Sequence, residues 1–183
     1  SNTQTGLLGI NIGPNKDSEN RLNDYIQCLK DFYEVADYIT INISSPNTEG
    51  LRDFHEKDSL SKLLENLTKI KKSKKIEKPL LLKISPDING KDILQINELI
   101  FKYNIDGIIL SNTTDNNRDN LDDIRKNEKG GLSGLPLKDI STEIIKKFYK
   151  ETKGKVPIIG VGGIDSGRSA FEKITAGANV VQL

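Results

Sequence analysis

The chain has 183 residues, enough for one domain with a substantial core and too few for two comfortable ones. Lys and Arg number 27 against 26 Asp and Glu, a formal charge of +1, so electrostatics give no ground for a nucleic-acid partner. The single cysteine, Cys28, excludes an internal disulfide and suits a reducing compartment, and no apolar run approaches the roughly 20 residues that span a bilayer.

Residues 1–6 read as a polar leader or remnant, ahead of a folded domain over 7–183. A first strand is predicted over 7–12, then a helix over 23–35, where Tyr25, Ile26, Leu29, Phe32 and Tyr33 recur at helical spacing. A strand over 38–43 is followed by a helix over 60–70 that carries Leu60, Leu63, Leu64, Leu67 and Ile70. The lysine-rich run over 69–78 reads as the solvated end of that helix rather than a contact with anionic lipid. Next come a strand over 80–84, a helix over 92–103 started by Asp92, and a strand over 107–110. The segment 114–137 is longer and more polar than a tight connection needs, which favours a functional loop. A helix over 140–149, a strand over 157–161, a helix starting at Ser166 or Gly167, and a strand over 179–183 complete the chain.

Mostly apolar strands alternating with amphipathic helices predict an α/β fold whose strands are covered on both faces. Either a doubly wound sheet or a (β/α) barrel repeats in this way. The position of the polar residues decides between them. Asn11, Asn42 with Ser44 and Ser45, Lys83, Ser111 to Thr113, and Gly162 with Gly163 fall at the C-terminal ends of five successive strands. A barrel gathers such residues on one face, whereas an open sheet concentrates them at one switch point. The fold expected is a (β/α) barrel represented by about six of eight strands.

The segment 160–167 follows a strand and opens a helix, so its glycines and free amides suit a phosphate, or else only a tight turn. The second glycine cluster, 130–134, is open between a ligand wall and a flexible loop end. Lys83 interrupts an apolar strand, and a buried ammonium calls for a partner anion unless it snorkels out at an edge. Asn11, Asn42, Asn47 and Asn112 suit a planar, imide-like ligand. No metal is expected, because His55 and Cys28 have no nearby ligand partners and read as structural or surface residues.

Taken in order, these blocks resemble the class 2 dihydroorotate dehydrogenases. The resemblance rests on the segments 9–13, 42–48 with 50–52, 82–87, 106–107, 111–114, 130–134 and 157–163. It implies a (β/α)8 TIM barrel that binds FMN, oxidises dihydroorotate to orotate in pyrimidine synthesis, and passes electrons to a quinone. It further implies Ser45 as the catalytic base, where the cytosolic class uses cysteine, with Thr48 in its proton relay. Asn11, Asn42, Lys83, Ser111, Gly134 and Gly163 become flavin contacts, with Lys83 beside the ring. Asn42, Asn47, Asn112 and Thr113 become contacts of the orotate ring and carboxylate.

Relative to that family, the chain is expected to lack two barrel strands, a membrane-facing N-terminal segment and the end of the phosphate site. It then reads as a soluble fragment of an enzyme peripheral to the bacterial inner membrane or the mitochondrial inner membrane. A truncated non-catalytic homologue, another FMN barrel oxidoreductase and a flavin-free phosphate-binding barrel remain the alternatives.

Overall fold

Every strand of the molecule pairs in parallel with its neighbour in sequence, giving one six-stranded sheet in the order β1 to β6. The computed structural model describes residues 6–46, 48, 50–116, 118–119 and 121–183. The strands are β1 (Gly9–Ile12), β2 (Tyr38–Asn42), β3 (Leu80–Ile84), β4 (Gly107–Leu110), β5 (Ile158–Val161) and β6 (Val180–Gln182). Between them run α1 (Arg21–Phe32), α2 (Lys57–Lys72), α3 (Gly90–Tyr103), α4 (Lys138–Thr152) and α5 (Gly167–Thr175). Short 3-10 turns, Leu51–His55 and Leu135–Leu137, precede α2 and α4. A doubly wound sheet reverses its order once; this one never does, which is the barrel topology.

Side-chain alternation separates the two faces of the sheet. Ile39 and Ile41 of β2, Leu80, Leu82 and Ile84 of β3, and Ile108 and Leu110 of β4 join the core with Tyr25, Leu29, Leu63, Leu64, Leu67, Ile96 and Ile145 of the helices. Each fully buried aliphatic side chain contributes on the order of 1.5–3 kcal/mol, so this helix-facing layer holds the fold together. The opposite parity, Thr40, Asn42, Leu81, Lys83 and Ile109, faces the inside of the barrel, in the register Asn42↔Lys83↔Ile109.

Local chemistry sets the helix ends. The Asn89 side chain accepts from the amides of Lys91 (2.8 Å) and Asp92 (3.1 Å), and Asp92 Oδ2 accepts from the Asn89 amide (3.1 Å). Asp92 is therefore the third residue of α3 rather than its start, because asparagine has taken the cap. Ser166 caps α5 as expected.

In the lysine run, Lys69, Lys72 and Lys75 are solvated as expected, but three others are not. Lys71 is 8% exposed and pairs with Asp106 at 2.7 Å, and Asp106 also accepts from the Leu80 amide at 2.7 Å. Lys74 lies 4.9 Å from the Tyr33 ring centroid, and Lys78 donates to the carbonyls of Glu34 (3.1 Å) and Ala36. These cations tie the bottom of the barrel, and their partners lie too far along the chain for a helix-face argument to find. No described helix is long and apolar enough to cross a membrane.

Candidate active site

A cavity of about 400 Å³ opens at the C-terminal ends of the strands, within the size range of small-molecule sites. Its lining includes Lys83, Ser111, Asn112, Thr113, Gly134 and Gly163. Lys83 projects from the inner face of β3, and burial pushes its pKa below the ordinary lysine value. It makes no hydrogen bond or ion pair to any described residue. A half-buried ammonium with no acceptor among the described residues suits an anionic or strongly polar ligand.

Asn42 stands outside the lining but is joined to it. Its Oδ1 accepts from the Ser44 amide (3.2 Å), the Ser44 hydroxyl (2.9 Å) and Asn112 Nδ2 (3.4 Å), and Asn112 Nδ2 also reaches Ser44 Oγ at 3.0 Å. Tyr25 Oη, from α1, donates to the Asn42 carbonyl at 2.6 Å, and burial raises the Tyr25 pKa, so the phenol stays a donor. The strand end is thus held from both sides.

Ser45 follows directly and is half-buried. On its N-terminal side Ser44 is fully buried in the network just described. On its C-terminal side Pro46 packs over Gly131, where a Cβ would come within 3.0 Å of Pro46 Cγ and 1.8 Å of Thr113 Oγ1. Glycine at 131 is thus required for the Pro46 and Thr113 loops to meet. Ser45 does not line the cavity itself; its neighbours abut the Asn112–Thr113 wall. Asn11 lies further off, exposed on β1 opposite Thr40, and is not brought into the cavity. Asn47 falls outside the described residues.

The glycine turn after β5 faces the cavity with Gly162 and Gly163. Gly163 has φ +65°, and a Cβ there would lie 2.6 Å from Lys138 Cα and 2.8 Å from the Gly134 carbonyl. At the start of α5 several amides are engaged by side chains. Ser169 Oγ accepts from the amides of Asp165 and Ser166 at 3.0 Å each, and Ser166 Oγ accepts from the Ser169 amide at 3.2 Å. Hydroxyl donation from Ser169 and Ser166 holds the Asp165 carboxyl below its ordinary pKa. Those three amides are spent on capping beside a negative charge. The amides of Gly163 and Ile164 have no partner among the described residues.

Sequence reasoning passed over the residues that fasten these loops. Arg52 pairs with Asp115 (2.8 Å) and Asp87 (3.2 Å) and reaches the carbonyls of Thr113 (3.4 Å) and Ser44 (3.5 Å). Asp87 also accepts from the Thr114 hydroxyl, the Asp115 amide (2.9 Å) and Asn116 Nδ2 (3.0 Å). Arg118 pins the long loop by donating to the carbonyls of Lys126 (3.1 Å), Glu128 (3.2 Å) and Gly130. Their positions just beyond strand ends were the available signal. Among the described residues no group of His, Cys, Asp and Glu is placed to hold a metal.

Parallel strands in chain order, helices over one face and a polar cavity at the strand C-termini define a (β/α)-barrel protein. Within that class, the chain belongs to the dihydroorotate dehydrogenase family, whose sequence profile matches residues 1–183. It is 50% identical over 183 residues to the dihydroorotate dehydrogenase (quinone) of Wigglesworthia glossinidia brevipalpis, covering 97% of this chain and 54% of that protein. The Vibrio parahaemolyticus protein of the same description is 49% identical over 185 residues, with the same shares covered. A crystal structure of DHODH in complex with ferulenol from Eimeria tenella superposes with a TM-score of 0.93 at 34% identity, covering 99% of this chain and 53% of that one. The chain spans about half the length of the curated relatives it matches.

Proposed function

We propose that the chain forms the catalytic part of an FMN-dependent, quinone-linked dihydroorotate dehydrogenase, which oxidises dihydroorotate to orotate in pyrimidine synthesis. The observation that carries this reading is the cavity where the Lys83 ammonium, without a partner among the described residues, meets the Ser111–Thr113 wall, with a glycine turn opposite. The residues fit FMN on their own chemistry. A flavin asks for a cation near its ring, polar groups at its edge and close backbone approach at its phosphate. Lys83, Ser111 with Asn42, and Gly134 with Gly163 meet these needs in turn, and Asn11 would join from the neighbouring strand. When bound, FMN supplies the acceptor for the hydride that leaves the substrate.

The remaining work falls to the chain. Asn42, Asn112, Thr113 and Asn47 would hold the substrate ring and carboxylate through donors and acceptors fixed before binding. Ser45 would take the proton from the ring methylene. A serine hydroxyl is a weak base in water, so this step needs a water-poor site and a relay, for which Thr48 is the nearest candidate in sequence. Lys83 would stabilise the negative charge that develops as electrons leave the substrate. A quinone acceptor implies work at a membrane, the bacterial inner membrane in this reading, with the contact made outside the residues described.

The test is spectroscopic. The chain is loaded with FMN, desalted, and given dihydroorotate without oxygen. A retained yellow flavin that bleaches supports the reading, and bound flavin that stays oxidised overturns the substrate. Ser45→Ala should retain flavin while bleaching slows by about 10²–10⁴-fold, the usual worth of a positioned base. An unchanged rate would remove Ser45 from that role.

A further inference from the structure

No charged side chain among the described residues is buried more completely than Lys173, which is 0% exposed and lies outside the cavity lining. Its Nζ donates to the Lys138 carbonyl (2.7 Å), Ser141 Oγ (2.6 Å) and Thr142 Oγ1 (2.6 Å), so all its hydrogens end on the first turn of α4. Ser141 Oγ in turn lies 3.0 Å from both the Lys138 and the Gly162 carbonyls; Lys173 already serves the first, which frees the single hydroxyl proton for Gly162. One ammonium therefore fastens α5 to α4 and, through a single hydroxyl, to the glycine turn. Burying a charge is expensive, and an apolar side chain of similar length would pack the two helices without that penalty. Packing alone does not account for a lysine here.

Peptide geometry supplies a reason. The Gly162–Gly163 peptide is planar, so a carbonyl drawn toward Ser141 turns the Gly163 N–H the opposite way. That amide has no partner among the described residues, and Gly163 lines the cavity. We propose that Lys173 is a positioning residue for a phosphate monoester: acting through Ser141, it aims the Gly163 amide at the ligand and sets a positive charge behind the wall. The inference rests on the FMN reading, and assigns the phosphate end of that ligand a support on the far side of the wall.

FMN and riboflavin differ by that phosphate, so titrating both flavins by fluorescence quenching separates positioning from folding. Lys173→Met should weaken FMN by about tenfold or more while riboflavin changes by less than about twofold. Ser141→Ala keeps the lysine and removes the link, and should shift FMN in the same direction by a smaller factor. If Lys173→Met fails to fold, as seen by circular dichroism, Ser141→Ala carries the test. Equal losses for both flavins, or no loss for either, overturn the role of Lys173. An unaltered chain that binds FMN no more tightly than riboflavin, or binds neither, fails earlier: the phosphate reading falls, and this inference with it.

Discussion

His55, the one histidine of the chain, is 7% exposed and bridges two segments next to the site. Its Nε2 lies 3.4 Å from the Ser85 amide and its Nδ1 2.9 Å from the Arg52 carbonyl. An amide can only donate, so Nε2 accepts and the ring proton sits on Nδ1, where it serves the carbonyl. Adding a second proton would set Nε2–H against the Ser85 N–H. Burial pushes the His55 pKa below its ordinary 6.5; the Arg52 charge acts the same way, while the Arg52 carbonyl and Asp92 act against it. The unfolded chain then takes up a proton near 6.5 that the folded chain refuses until lower pH. Stability from this group is complete above that value and declines as pH falls through the folded pKa. Urea midpoints taken at about pH 7.5 and about pH 5.5 should therefore separate, and His55→Gln should narrow the gap. An equal gap in the variant would show that His55 does not set it.

The elements owe their alignment at the site to short carboxylate and guanidinium contacts between loops. Asp87, after β3, receives Arg52 from the 3-10 turn after β2 and three donors from the segment after β4. Asp87→Asn removes the charge and leaves several of those donors competing for one oxygen. A loss of about 0.5–1.5 kcal/mol in urea unfolding is expected, the usual net worth of a hydrogen bond, because the Asp115 and Asn116 donors are exposed and only Thr114 is buried. A variant as stable as the parent would show that the loops are held by packing. The elements themselves were legible: strands 80–84 and 107–110 are apolar but for Lys83, and leucines at helical spacing gave α2. Strand-end polarity likewise exposed Lys83, Ser111 and Asn112. What stayed hidden depends on partners distant in sequence. Lys71 meets Asp106 across 35 residues and Arg52 meets Asp115 across 63, and no periodicity encodes such pairs. Lys173 went unread, because its partners Lys138, Ser141 and Thr142 lie more than 30 residues earlier.

For the molecule as a whole, the decisive asymmetry is between the two faces of the sheet. Leu81 and Leu82 are neighbours on β3, yet only Leu82 belongs to the helix-facing core. Leu82→Ala should cost about 2–5 kcal/mol, as large-to-small core changes do. Leu81→Ala, inside the barrel and 9% exposed, should cost distinctly less in the same chemical denaturation series. Reversed magnitudes would mean that the alternation has been assigned to the wrong faces.

The strictly sequential strand order also bears on how the chain is made. Each strand's partner is the one synthesised just before it, so a chain emerging from the ribosome can add one β–α unit at a time to a growing edge. Each closure spans a whole helix, as a parallel crossover requires. The cavity walls come from the ends of β3, β4 and β5 and from β6. The cavity is therefore lined by strands made after β1 and β2, so part of the hydrophobic layer is in place before its walls meet.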